Sequence, residues 1–153
     1  MEPTIVNRDE TILVGLATEG GSIDQLWQSY DAFDKHITHK TDPAVYYEVH
    51  TFPDDPASGN APEYLVGIAV TEADDVPAGL VVRRLRPGAY AVFTHVLANG
   101  GFTGCNATMD AWLKDGPYRL APNACIQVFD ARFKGPNNPE SVIDFLLPIE
   151  QKP

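Results

Sequence analysis

Few side chains in this sequence stand at spacings that do covalent chemistry. His36 and His39 could offer two metal ligands one helical turn apart. They are flanked by Lys35 and Lys40 near the expected end of a helix, where cations serve the helix dipole, and no Cys or Glu completes a third ligand. No metal site is assigned on this basis. His50 and His95 stand alone and receive no role. No G-x-S-x-G elbow supports a serine nucleophile, and Gly100, Gly101 and Gly104 lack the Lys-Ser/Thr ending of a phosphate loop. Cys105 has no His or basic neighbour in sequence to activate it, and Cys125 is the only other thiol. Two such thiols read as small buried hydrophobes, with a disulfide left open. No cofactor is implied and no catalytic residue is assigned. Gln127, between Ile126 and Val128, is the polar residue of interest: its amide donates and accepts hydrogen bonds but does not ionise.

The elements that would position these residues are legible in the pattern. Glu10–Ala17 has the continuous apolar centre of a buried strand. Ser22 is a good N-cap for a helix whose Ile23, Leu26, Trp27, Tyr30, Phe33 and Ile37 recur at gaps of three and four, so Trp27 reads as core. Strands follow at 44–51 and 63–71, separated by the turn-rich stretch Pro53–Pro62. The second half repeats the order: a strand at 89–95, a helix centred on Cys105, Met109, Trp112 and Leu113, and strands at 124–133 and 141–149. The glycines at 100, 101 and 104 are expected to break the strand. Gly116 is expected to end the second helix in a left-handed turn before Pro117.

The fold class is therefore α+β. Two strand–helix–strand–strand repeats, about 1–75 and 76–153, pair around a pseudo-two-fold axis as one domain over 1–153. Their helices lie on an antiparallel sheet with a groove between them.

Net charge is −10, from 21 Asp and Glu against 11 Lys and Arg. A polyanion would be repelled by such a chain. The basic cluster Arg83-Arg84-Leu85-Arg86 alternates like one edge of a strand, so direct nucleic-acid binding is not expected. Cationic ligands would instead be attracted over about 10 Å. No apolar run approaches the roughly 20 residues of a membrane span, and the N-terminus lacks a secretory pattern, so no membrane partner is expected and the cytoplasm is the default location.

Four stretches give a resemblance: Asp24–Trp27 with Phe33; Glu63–Val70, matching "YxxGxxV"; Pro87–Phe93, similar to "PaGxYAvF"; and Trp112-Leu113 with Ile143–Ile149, similar to a closing "EIxIPI" strand. Together they resemble the GyrI-like, or bacterial effector-binding, domain over nearly the whole chain, from about Thr4 to Ile149. The resemblance implies a small-molecule pocket lined by aromatic side chains, with an acid in a strand reading roughly "FExY" that pairs with cationic drugs. Here Gln127 replaces that acid and Phe129 replaces the phenol. Glu48, Asp130 and Asp144 are the nearby acids that could stand in, and alternation puts Asp130 and Gln127 on opposite strand faces.

The expected ligand-binding set is Tyr47, Tyr64, Phe93, Trp112, Gln127 and Phe129, each aromatic member serving equally well as core. The functional expectation is non-catalytic binding of small hydrophobic or amphipathic molecules, in sensing, sequestration or resistance. The alternatives are a hydrolase of strained-ring alkylating compounds, which needs a pocket acid, and a protein–protein inhibitor of the gyrase-inhibitory type. A protein partner is the route by which a free-standing form would pass on a signal.

Overall fold

The structure, a computed structural model, describes residues 2–153. Strands β1 (Thr4–Arg8) and β2 (Thr11–Glu19) precede helix α1 (Ile23–Asp34), then β3 (Tyr46–Thr51) and β4 (Glu63–Val70). The second half runs β5 (Val81–Leu85), β6 (Gly88–Val96), helix α2 (Gly101–Asp115), β7 (Tyr118–Leu120), β8 (Ala124–Phe129) and β9 (Val142–Gln151). No helix among these residues is long and apolar enough to cross a membrane.

The sheet is antiparallel and strongly curled, in the order β1-β6-β9-β8-β3-β4-β2-β5, with β7 added on β9. Read from either end, this order places equivalent strands of the two repeats symmetrically about the β8–β3 seam. The short strands β1 and β7 are additions to the expected set. β1 starts the chain yet pairs with β6 of the second repeat, while β5 pairs with β2 of the first. This exchange of edge strands ties the halves together in addition to the central seam.

Local chemistry sets the boundaries. Ser22 has extended backbone and its Oγ accepts from the Gln25 amide at 3.3 Å, capping α1 as expected. β3 begins at Tyr46 rather than at 44 because Asp42 Oδ1 takes the Ala44 amide at 2.9 Å, holding that stretch in a turn. β8 stops at Phe129, short of 133, because the Asp130 carboxylate accepts from the Arg132 amide and the Phe133 amide bonds back to the Asp130 carbonyl. Of the three glycines expected to break the strand, Gly100 and Gly101 are left-handed, at φ 91° and 65°, and open α2 as its N-cap and first residue, while Gly104 lies inside the helix. Gly116 corrects the expected left-handed ending: its φ is −97° and ψ 179°, the extended conformation that a following proline imposes.

Apolar packing forms three bodies. On the helix side, Leu26 and Tyr30 of α1 cover Val14, Val66 and Ile68. Separately, Cys105 and Met109 of α2 cover Phe93, Ile143 and Phe145. On the opposite, concave side the curl of the sheet encloses Leu13, Tyr47, Val49, Leu65, Tyr90 and Ile126. Both cysteines are free. Burial pushes the Cys105 thiol up to about 11 and the Cys125 thiol up to about 12.

Gly15 and Gly67 face each other across β2 and β4. A Cβ on Gly67 would sit 2.3 Å from the Val14 carbonyl oxygen, and one on Gly15 would sit 2.0 Å from that of Val66. Backbone, not a movable side chain, fills the space. Gly67→Ala is therefore expected to cost about 2 kcal/mol or more, read as a lowered urea midpoint with an unchanged slope. The raised thiols make a second prediction. At pH 8 the buried Cys105 should carry about a hundredfold less thiolate than a free cysteine. Native protein should resist iodoacetamide at both positions, and denatured protein should be alkylated at both.

Candidate binding groove

The two helix-side cores do not merge across the β8–β3 seam, and the space between α1 and α2 is a groove of about 780 Å³. Strand alternation decides what it sees. Tyr46, Glu48 and His50 of β3 pair in register with Phe129, Gln127 and Cys125 of β8, and all six point toward the helices. Tyr47 and Val49, one residue out of phase, belong to the concave core.

The floor is a buried carboxylate. Glu48 is 6% exposed, and its Oε1 accepts the Trp27 indole Nε1–H at 2.7 Å. Its Oε2 lies 2.7 Å from His50 Nε2, which donates when that nitrogen carries the proton. Gln127, also buried, is the direct cross-strand neighbour of Glu48. A buried carboxylate loses its hydration, and these two donors replace part of it while leaving in-plane lone pairs available.

Aromatic rings form the walls. Trp27 lies edge-on to Tyr46 and Phe129, at 6.2 and 5.8 Å between centroids. Phe133 returns over Phe129 at 4.8 Å, because the Asp130–Arg132 turn brings it back. The Tyr46 and Tyr30 hydroxyls both donate to Asp34, which also binds Lys40, and this fixes the Tyr46 ring. Burial first, and then Asp34, raise both phenols above the ordinary tyrosine value, so they stay protonated donors. Asp24 and Gln28 of α1 and Phe102 and Asn106 of α2 form the rim.

Of the expected binding residues, Gln127 and Phe129 line this groove. Tyr47 faces the other side of the sheet, within the concave core. Phe93 is fully buried beneath α2, edge-on to Trp112, which itself stacks on Tyr118, so this trio is packing. Tyr64, the cross-strand neighbour of His50, packs against it at 4.8 Å on the helix side of the sheet, beside the groove and outside its lining. Trp27, expected as core, is instead a wall. Leu26 and Tyr30 take the buried stripe of α1, and Ile23 and Trp27 occupy the edge that faces α2.

Of the three acids that could stand in for position 127, Glu48 is in the groove. Asp130 and Asp144 are bound by Arg132 at 2.8 and 2.7 Å, away from it. The signal for Glu48 was its position in an apolar alternating strand, where an acid needs a reason. The metal pair also changes meaning: α1 ends at Asp34, before His36, and His39 pairs with Glu72 at 3.0 Å.

A curled sheet under two helices, with an aromatic groove and a buried acid between them, defines an effector-binding type of domain. The chain belongs to the GyrI-like small molecule binding domain family, which it matches over residues 1–150. It is 29% identical over 154 residues to the transcriptional regulator BrlR of Pseudomonas aeruginosa, covering 97% of this chain and 56% of that protein. The chain thus spans about half the length of this relative. Its fold is similar to the EcmrR C-terminal domain, with TM-score 0.73 at 8% identity over 99% of this chain and 98% of that one. It is likewise similar to SAV2435 bound to tetraphenylphosphonium, with TM-score 0.64 at 14% identity over 98% and 94%.

The Glu48–Gln127 pairing yields a prediction. Gln127→Glu would set two carboxylates directly opposite each other in a buried cross-strand pair, a destabilising arrangement. The variant should unfold at lower urea than the native protein, by about 1 kcal/mol or more, and Glu48→Gln in the same chain should restore most of the loss.

Proposed function

We propose that the groove binds one small amphipathic molecule, with lipophilic cations preferred and Glu48 as their counter-charge. The observation that carries this reading is the Glu48 carboxylate, buried at the groove floor and ringed by Trp27, Tyr46 and Phe129. An amide at 127 cannot neutralise a cation. The carboxylate on the neighbouring strand can, from the same face of the sheet. Ring faces add cation–π attraction, and the chain's negative charge draws cations toward the rim. A volume of about 780 Å³ suits a drug-sized ligand. That SAV2435 holds tetraphenylphosphonium is a property of that protein, and it supplies a sensible probe. Binding here would serve sensing through a partner protein, sequestration or resistance.

A second reading draws on the same residues. Ring-opening hydration needs a base at the floor, and a carboxylate in contact with an imidazole can remove a proton from water. It would be checked by mass spectrometry of a strained-ring alkylating compound incubated with the protein, seeking a product one water heavier that forms faster than in buffer.

The binding reading is tested by titrating tetraphenylphosphonium into the native protein and Glu48→Gln, following tryptophan fluorescence and heat. Native binding should weaken about thirtyfold or more in the variant, as expected when a desolvated charge pair is cut. A neutral aromatic compound of similar size should bind both proteins alike. Equal cation affinity in the two proteins would contradict the role given to Glu48.

A further inference from the structure

A second cavity, of about 190 Å³, opens on the concave face of the sheet, on the side away from the groove. Its interior is apolar, lined by Val49, Leu65, Ala124, Ile126 and Tyr90, and its rim carries Arg83, Arg84 and Arg86 together with Glu63. Glu63 offsets one of these charges, and strand alternation turns Arg84, with Val82 and its partner Ile12, to the helix side, so the excess positive charge at the cavity is that of Arg86.

The three are not equivalent. Arg83 is held by Glu63 through two bonds of 3.0 and 3.2 Å, and Arg84 by Glu10 at 2.7 Å. Arg86 takes part in no salt bridge among the described residues. Its Nε donates to the Ala121 carbonyl at 2.5 Å, Nη2 to that of Ile149 at 3.1 Å and Nη1 to that of Pro87 at 3.3 Å. The guanidinium also lies 5.7 Å from the centre of the Tyr90 ring, whose hydroxyl donates to the Arg86 carbonyl. Carbonyls orient this cation without cancelling its charge. Of five N–H donors, three are used and about two remain. A fixed guanidinium with spare donors, set beside an apolar cavity and lacking a carboxylate, is arranged to take one from outside.

We infer that this cavity is a second binding site, for small monocarboxylates bearing one aromatic ring or a short acyl chain. The apolar part enters between Val49 and Ile126, and the carboxylate meets Arg86 at the rim. Size sets the limit: an apolar cavity of about 150 Å³ accommodates a benzene ring, so this one holds a ring or short chain and little more. The site is independent of the groove, since Val49 and Ile126 alternate with Glu48, His50 and Gln127 to the opposite face.

The test uses the whole protein and three probes of one shape: 3-phenylpropionate, 3-phenylpropanol and 3-phenylpropylammonium, titrated by calorimetry and by amide NMR shifts. The carboxylate should bind at least about tenfold more tightly than the alcohol, weaken with salt, and shift amides of residues 83–90 and 124–126. Ala124→Leu, which fills the cavity, should abolish that binding while tetraphenylphosphonium binding stays as in the native protein. Arg86→Gln should bring carboxylate affinity down to that of the alcohol. Should Arg86→Gln not fold, the ranking of the three probes on the native protein decides. Equal binding of acid and alcohol, shifts confined to the helix-side groove, unchanged binding in Ala124→Leu, or no binding at millimolar carboxylate would each overturn the inference.

Discussion

The pairing of β3 with β8 is the constraint on which the rest of the molecule depends. It joins the two repeats at the centre of the sheet, and because both strands alternate in the same phase, residues 46, 48 and 50 share a face with 125, 127 and 129. A slip of one residue would turn Glu48 into the concave core and bring Tyr47 up between the helices. The hydrophobic sets on either side prevent this. Val49, Ile126 and Leu65 must remain in the concave core, so Glu48 must remain beneath the groove.

That position is costly for a carboxylate, and its surroundings answer the cost. Trp27 supplies an indole N–H from the helix edge, and His50 supplies an imidazole from two residues along the same strand. Trp27 is a neutral donor, and His50 is a counter-ion only when protonated, unlike the permanent cation Arg132 that holds Asp130 and Asp144. The contrast is one of occupancy: Arg132 covers Asp130 and Asp144, and among the described residues no guanidinium or ammonium covers Glu48. Asp130, held by the Arg132 side chain, is pushed below the ordinary aspartate value and is occupied. Glu48 is oriented by hydrogen bonds and keeps lone pairs for a ligand. The separation of the α1 and α2 cores supplies the volume in which such a ligand fits.

Most of the architecture was legible in the residues because periodicity and capping are local. The stripe from Ile23 to Tyr30 and its Ser22 cap marked α1, and the repeat of strand, helix, strand, strand marked the symmetric sheet. What is not local was harder to read. Alternation in 44–51 separates two faces but cannot say which one meets the helices, so Tyr47 was favoured where Tyr46 and Glu48 line the groove. A helix stripe likewise cannot distinguish a Trp that packs inward from one at the edge facing a second helix, as with Trp27. Phe133 entered the groove through a side-chain turn at Asp130 that no periodicity encodes. Gln127 and Phe129 line the groove at the positions the resemblance supplied, and the groove's buried carboxylate, Glu48, stands on the neighbouring strand.

In the proposed function a ligand's positive charge meets Glu48 between the helices. A crystal structure of the protein with tetraphenylphosphonium tests this most directly. The phosphonium is expected in the groove, its rings against Trp27 and Phe129, with Glu48 the nearest carboxylate. A ligand bound elsewhere, or seated in the groove with Asp24 nearer to it than Glu48, would contradict it.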